Sequence, residues 1–380
     1  MSILMDVLSN KDNIWLLLDI SLIGGMIEVT NRSGIKESVT KLFKEISNKA
    51  LATQILTMSL LLSFDDYFFP SLLSSVVRKE KTLYKNRNFV AFICRGSTIS
   101  FANFNPISWP IYTMSLLVVN GVASKANCLS VYYKISLYMF FPIVLVGLFI
   151  IKYILLSDFA DSRLEYLKSD SMDKYDLQCL LYMGIPIAFH MIFSIIEGDT
   201  LKPLIITTAI TAFFHAFRKR YSFLEIPSII ISGIRNMMEI CVIIVLSLVL
   251  SKSMDYLYFT QHSVSVISMI MPAKLFPVAI FTFFSLTEYV FSLNWTLWLI
   301  TFPMIIQISS KTSANLFLCI GAVLSAGILG SISCIYSDST VLCIKSYDLD
   351  IRNHSIVALK DVIPAAAISI LLYFLFGVAT

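Results

Sequence analysis

Charge is what this sequence is short of. Only 14% of its 380 residues are Asp, Glu, Lys or Arg, against roughly a quarter in soluble domains, and 57% are hydrophobic. That ratio cannot cover a water-facing surface, so an ordinary soluble domain is excluded, in keeping with the mean hydropathy of +0.79. Histidine is scarce too, four in all, and His190 and His262 have no partner at metal-ligand spacing, which argues against zinc. The seven cysteines are odd in number and lack C-x-x-C spacing, so they read as buried small hydrophobes rather than a disulfide framework. No P-loop, Gly-x-Ser-x-Gly or His-Glu-x-x-His motif occurs. A membrane aspartyl protease would need a second aspartate in a Gly-x-Gly-Asp context, and a metal-dependent phosphotransferase repeated aspartates along a helix; both are missing. The chain is therefore expected not to be an enzyme and to carry no cofactor. Its net charge of +4 sits in short loops between apolar runs, which excludes nucleic acid as a partner. No small-residue cleavage site follows the apolar stretch Trp15 to Gly25, so no signal peptide is expected.

What the sequence has in quantity is apolar runs. Crossing a hydrocarbon core takes about 20 apolar residues, and spanning helices are predicted near 14–30, 131–156, 177–196, 200–216, 227–251 and 362–379. Two further apolar regions are interrupted by polar residues. The first, Ala50–Val77, has Ser63-Phe64-Asp65-Asp66-Tyr67 at its middle and basic flanks on both sides: Arg32, Lys36, Lys41, Lys44 and Lys49 before it, Arg78, Lys79, Lys81, Lys85 and Arg87 after it. Basic short loops mark the cytoplasmic side, so both ends are expected there. Each arm of about 14 residues rises roughly 21 Å, less than the full core, which predicts a re-entrant hairpin with an acidic tip at mid-depth. Lys274–Lys311 holds two apolar arms around Ser292-Leu293-Asn294-Trp295-Thr296, and counting spans places its ends on the opposite side. Interrupted helices follow both hairpins, centred near residues 101 and 335. An offset of about 230 residues relates hairpin to hairpin, break to break, and 131–156 to 362–379, the pattern of an inverted repeat.

The expected fold is therefore an all-α polytopic membrane protein, an inverted-repeat transporter with about eight spanning helices, two re-entrant hairpins and two broken helices. Residues 1–156 form the first repeat, 157–226 a connecting loop with two helices belonging to the second, and 227–380 the rest of the second. The same offset carries the helices at 177–196 and 200–216 back beyond residue 1. The first repeat is thus expected to be incomplete at its N-terminus, through an asymmetric repeat or a shortened chain.

Carboxylates at mid-membrane cost about 2.5–3.5 kcal/mol on insertion scales, so Asp65 and Asp66 need a partner, a cation or a proton. Hard cations such as sodium take oxygen ligands, which carboxylates, hydroxyls, amides and the freed carbonyls of broken helices supply. Asn103-Phe104-Asn105-Pro106-Ile107-Ser108-Trp109-Pro110 offers such oxygens through Asn105 and Ser108, with proline freeing a carbonyl upstream. Ser337-Asp338-Ser339-Thr340 is the equivalent element of the second repeat, where Asp338 is either a ligand or a helix cap. Asn294 sits at the second hairpin tip. Asp19, Glu239 and Glu288 are further acids within apolar segments, the two glutamates being candidate proton carriers. Lys134 and Lys152 are expected to snorkel to opposite interfaces, and His354 falls in a polar loop.

At these residues the sequence resembles the NhaC-type sodium/proton antiporter family. Gly24-Gly25-Met26-Ile27 with Arg32-Ser33-Gly34 is similar to its glycine-rich helix and following turn, and Phe64-Asp65-Asp66-Tyr67 to its most recognisable motif. Pro106-Ile107-Ser108 matches the end of its first broken helix; Gly330 and Ser337-Asp338-Ser339-Thr340 match the second. The departures are as specific. Arg95 stands where the resemblance implies an aspartate, Ser331 and Ile332 replace an acid and an imidazole, and the second hairpin tip is altered. Two expected acids are gone and a cation has entered, which leaves the implied fold intact while removing charge that the implied exchange uses.

Together these readings give a sodium/proton exchanger of the inner, cytoplasmic membrane working by alternating access. Sodium would sit at Asp65, Asp66 and Asp338, with Asn105, Ser108, Asn294, Ser337 and Thr340 supplying neutral oxygens and Arg95 acting as a modulator near the acidic pair. Expected partners are the sodium ion, the proton and the lipid bilayer, with a homodimer admitted. Two alternatives stand beside it: a sodium- or proton-coupled carrier of an organic anion or amino acid, with Arg95 holding a carboxylate, and a truncated, transport-inactive chain.

Overall fold

The computed structural model describes residues 2–32, 51–155, 201–258 and 271–379, except 64, 65, 67, 79, 80, 106–108 and 294, together with isolated positions at 38, 262, 265 and 266 and between 181 and 197. Among the described residues the regular structure is helical throughout. After α1 (Ser2–Ser9) and α2 (Lys11–Asn31) come two short apolar helices, α3 (Leu51–Leu61) and α4 (Phe68–Val77). At 11 and 10 residues each rises about 16 Å, half a hydrocarbon core, as a re-entrant hairpin demands. The short α5 (Lys81–Lys85) leads into α6 (Arg87–Ala102), which breaks and resumes as α7 (Trp109–Val119).

The expected single span at 131–156 is instead two helices, α8 (Cys128–Ser136) and α9 (Phe140–Ile150, continued by a π-turn over Ile151–Leu155), bent by 54°. The bend falls at Leu137–Met139, just ahead of Pro142, whose ring and missing N–H favour a fresh helix start over continuation. Of the predicted helix at 177–196 most residues lie outside the described ones. Then come α10 (Leu201–Phe217) and α11 (Ile226–Tyr256).

A second hairpin follows, α12 (Phe276–Phe291) and α13 (Trp295–Thr312), with arms longer than the first pair. A second broken helix, α14 (Leu316–Ser333) and α15 (Asp338–Tyr347), precedes the last helix, α16 (Ile351–Ala379). The two halves of the second broken helix begin 229 residues after those of the first, Leu316 against Arg87 and Asp338 against Trp109. Among the described residues four helices are long and apolar enough to cross a membrane, or up to six when each bent pair is taken as one span. The α14–α15 span is the molecule's centre, 94% of its apolar window being buried, while α16 buries only 28% and turns the rest outward.

Helix α16 also shows how the hairpins are oriented. Just before its start, Asp348 accepts from Tyr84 Oη at 3.0 Å, and its carbonyl accepts from Arg87 Nε at 3.0 Å, at the flank of hairpin one. Near its end, Gly377 packs so closely on the carbonyl of Lys274 that a Cβ would come within 2.3 Å of it, at the start of hairpin two. The 29 residues of α16 rise about 43 Å, a full membrane thickness, so the hairpins enter from opposite faces. Elsewhere α2 and α11 cross backbone to backbone: a Cβ on Gly233 would fall 2.2 Å from the carbonyl oxygen of Gly24.

Candidate functional site

The α14–α15 break is built from extended backbone, with Cys334 and Ser337 both near φ −65° and ψ +135°. Ser337 caps α15, accepting from the Thr340 amide at 3.1 Å. The last carbonyls of α14 have no helical partner and must be satisfied from outside. That of Ser331 accepts from Ser337 Oγ at 2.9 Å and from Ser339 Oγ at 2.7 Å. It accepts a third bond from α6, where Arg95 Nη1 lies 3.0 Å away. The same Nη1 donates to Thr340 Oγ1 at 2.6 Å, and Nη2 donates to the Ile332 carbonyl at 2.8 Å. His354 Nε2, on the first turn of α16, lies 3.2 Å from Nη2 and serves as acceptor, because a guanidinium has only donors. Arg95 is 1% exposed.

Arg95 thus points to the second break; Asp65, half of the acidic pair beside which its place in the sequence had put it, lies outside the described residues. The reason is electrostatic: the C-terminal end of a half-helix is a concentrated negative pole in a dry interior, and α6 passes beside it. Among the described residues no carboxylate lies within ion-pairing distance of Arg95. Nor is His354 in a polar loop; it is fully buried on α16, which begins eleven residues before the predicted span. The polar residues Arg352, Asn353 and His354 disguised those turns.

The first break is satisfied differently. After α6 ends, the Asn103 carbonyl accepts from Tyr132 Oη at 2.5 Å and that of Phe104 from Tyr133 Oη at 3.4 Å, both from α8. Neutral phenols close one break and a guanidinium the other. Around Arg95, α6 also carries Ser97 and Thr98, whose hydroxyls donate to Ser59 on α3 at 2.8 and 3.1 Å. From the other side comes hairpin two. The buried Glu288 on α12 lies against Gly330, where an added Cβ would meet Glu288 Oε2 at 2.7 Å, one residue before the carbonyl that Arg95 grips.

Of the residues singled out from sequence, Ser337, Thr340 and Arg95 are brought together. Asp338 opens α15 with its side chain exposed and Oδ1 accepting from the Ser339 amide at 2.7 Å. Asp66 is half-buried in the turn between α3 and α4, and Asn105 half-buried at the first break with Oδ1 unbonded. Asp65, Ser108 and Asn294 lie outside the described residues. Asp19 is buried on α2, 3.4 Å from Ser115 Oγ, while Glu239 is exposed on α11. No group of three metal-ligating side chains occurs among the described residues.

Sequence reasoning missed His354, Ser339 and a second buried cluster. Asp361 on α16, 3% exposed, accepts from Lys152 Nζ at 2.6 Å and Tyr153 Oη at 2.5 Å on the π-turn of α9. Lys152, its side chain half-exposed, is held by this acid. A carboxylate one residue ahead of the predicted span 362–379 was the signal available.

No protein-family model matches the chain, and no curated protein matches it in sequence. In structure the chain is similar to the YdaH transporter of Alcanivorax borkumensis, whose crystal structure is described as revealing an unusual topology. The likeness has a TM-score of 0.66 at 11% identity, over 95% of this chain and 84% of that one. The likeness shows the fold: all-α, with four to six candidate membrane spans, two hairpins and two broken helices in an inverted repeat.

Proposed function

We propose that this protein is a secondary active transporter of the NhaC type, exchanging sodium for protons by alternating access. The observation that carries the reading is the meeting of two oppositely inserted hairpins with two broken helices around a buried polar cluster, the architecture by which ion-coupled carriers expose backbone and side-chain oxygens at mid-membrane. The repeat division into 1–156 and 227–380, with 157–226 contributing helices to the second, belongs to the same reading, as does residence in a cytoplasmic membrane.

Asp65 and Asp66 at the tip of hairpin one carry the charge, with Asp338 at the head of α15 as a third acid. A carboxylate holding a proton has lost the negative charge that attracts sodium, so the two cargoes compete for one site and cross in opposite directions. Asn105, Ser108 and Asn294 supply neutral oxygen; Ser337 and Thr340, candidates for the same role, are already engaged at the α14–α15 break with the Ser331 carbonyl and Arg95. Carriage of an organic anion on Arg95 finds less support, because both of its terminal nitrogens are already spent on α14 carbonyls, Thr340 and His354.

The test is flux. Full-length protein in sealed vesicles given an inward sodium gradient should alkalinise the lumen against a potassium control, because each sodium entering expels a proton, and Asp65→Asn should reduce that signal at least tenfold. Vesicles whose pH ignores sodium would overturn the exchange reading.

A further inference from the structure

A half-helix that ends inside a membrane leaves carbonyl oxygens and a negative dipole pole, and in broken-helix carriers such ends coordinate cations. The α14 end has those oxygens: the carbonyls of Ser331 and Ile332, with the hydroxyl of Thr340 facing them across the break. All three are 2.6–3.0 Å from the terminal nitrogens of one buried guanidinium. A buried arginine ordinarily meets a carboxylate. Here, among the described residues, no carboxylate touches it: carbonyl dipoles, a hydroxyl and a neutral imidazole make the contacts, and Asp338 acts only from beyond ion-pairing distance. The shell is one suited to a monovalent cation, and the chain fills it with its own.

We infer that Arg95 is a tethered cation occupying the ion site at the α14 end, so that the α14 carbonyls and Thr340 take up no sodium and coupling is left to Asp65, Asp66 and Asp338. The inference rests on the transporter reading for its meaning, and on the oxygen shell alone for its chemistry. The helix break keeps its required positive charge in every state of the carrier, without drawing it from solution. One ion fewer then crosses per cycle than the two-break architecture would allow.

The test is made on purified full-length protein in an Asp65→Asn, Asp66→Asn background, which removes the other proposed sodium site. There Arg95→Ala should acquire a stabilisation by about 100 mM sodium or guanidinium ion, relative to choline, that the parent lacks; a rise in Tm of about 2 °C or more is the expected size. Arg95→Lys retains a tethered charge and should show no such gain. If Arg95→Ala is recovered folded only when sodium or guanidinium is present, the inference is equally supported. It is overturned if Arg95→Ala folds and ignores every cation, or if it fails to fold and no cation restores it. Because the readout is binding, it separates from flux. A cation-responsive Arg95→Ala protein in vesicles that never couple sodium to pH keeps the tethered ion and loses the exchange reading; sodium-coupled flux with an unresponsive Arg95→Ala does the reverse.

Discussion

At the scale of single residues, the molecule's polar groups are placed by what they leave unsatisfied when removed. Tyr132→Phe takes away the donor that closes the Asn103 carbonyl and leaves that oxygen buried without it, so stability should fall by about 1–3 kcal/mol, read as a lower Tm in detergent. The Lys152–Asp361 pair should respond asymmetrically. The side chain of Asp361 is 4% exposed and that of Lys152 48%, so Lys152→Met strands a buried carboxylate, whereas Asp361→Asn frees a lysine that can reach the interface. The lysine variant should melt lower than the aspartate variant; the opposite order would mean that Tyr153 alone satisfies the acid. These pairings were invisible in the sequence, because Arg95 and His354 stand 259 positions apart and Lys152 and Asp361 209. Hydropathy scores each charge as unpaired, so it moved the start of α16 past both His354 and Asp361.

At the scale of elements, glycines decide where helices touch. Gly233→Ala would drive a Cβ to 2.2 Å from the Gly24 carbonyl, an overlap with backbone that cannot rotate away, so a loss of about 1–3 kcal/mol is expected. Gly147→Ala, where an added Cβ has nothing within 4 Å, is the control and should leave the Tm unchanged. The elements themselves were largely legible. Apolar runs cut by Asp65-Asp66, by Asn103 to Ser108, by Ser292 to Asn294 and by Cys334 to Ser337 end helices at those places, and the expected offset of about 230 is matched by 229 between the broken helices. What hid was the bend between α8 and α9, since Leu137, Tyr138 and Met139 are as apolar as the helices they join. Hydrophobicity alone carries no information about a turn.

At the scale of the whole molecule, the opposed hairpins predict a labelling pattern. The six cysteines among the described residues are all buried, so with Cys179 replaced by serine impermeant thiol reagents should report mainly on introduced sites. Exposed Lys85 and Lys345, replaced singly by cysteine, should react from one face and exposed Lys311 from the other. Lys85 and Lys311 reacting from the same face would mean that the hairpins enter together and that α16 does not traverse the membrane. The dual attachment of α16 has a mechanical corollary. One unbroken rod is fastened at its head to the flank of hairpin one, through Asp348, and near its tail to the start of hairpin two, through Gly377 and Lys274. Pushing the base of either hairpin along the membrane normal strains a contact at one end of α16, so the two bases are coupled through one helix.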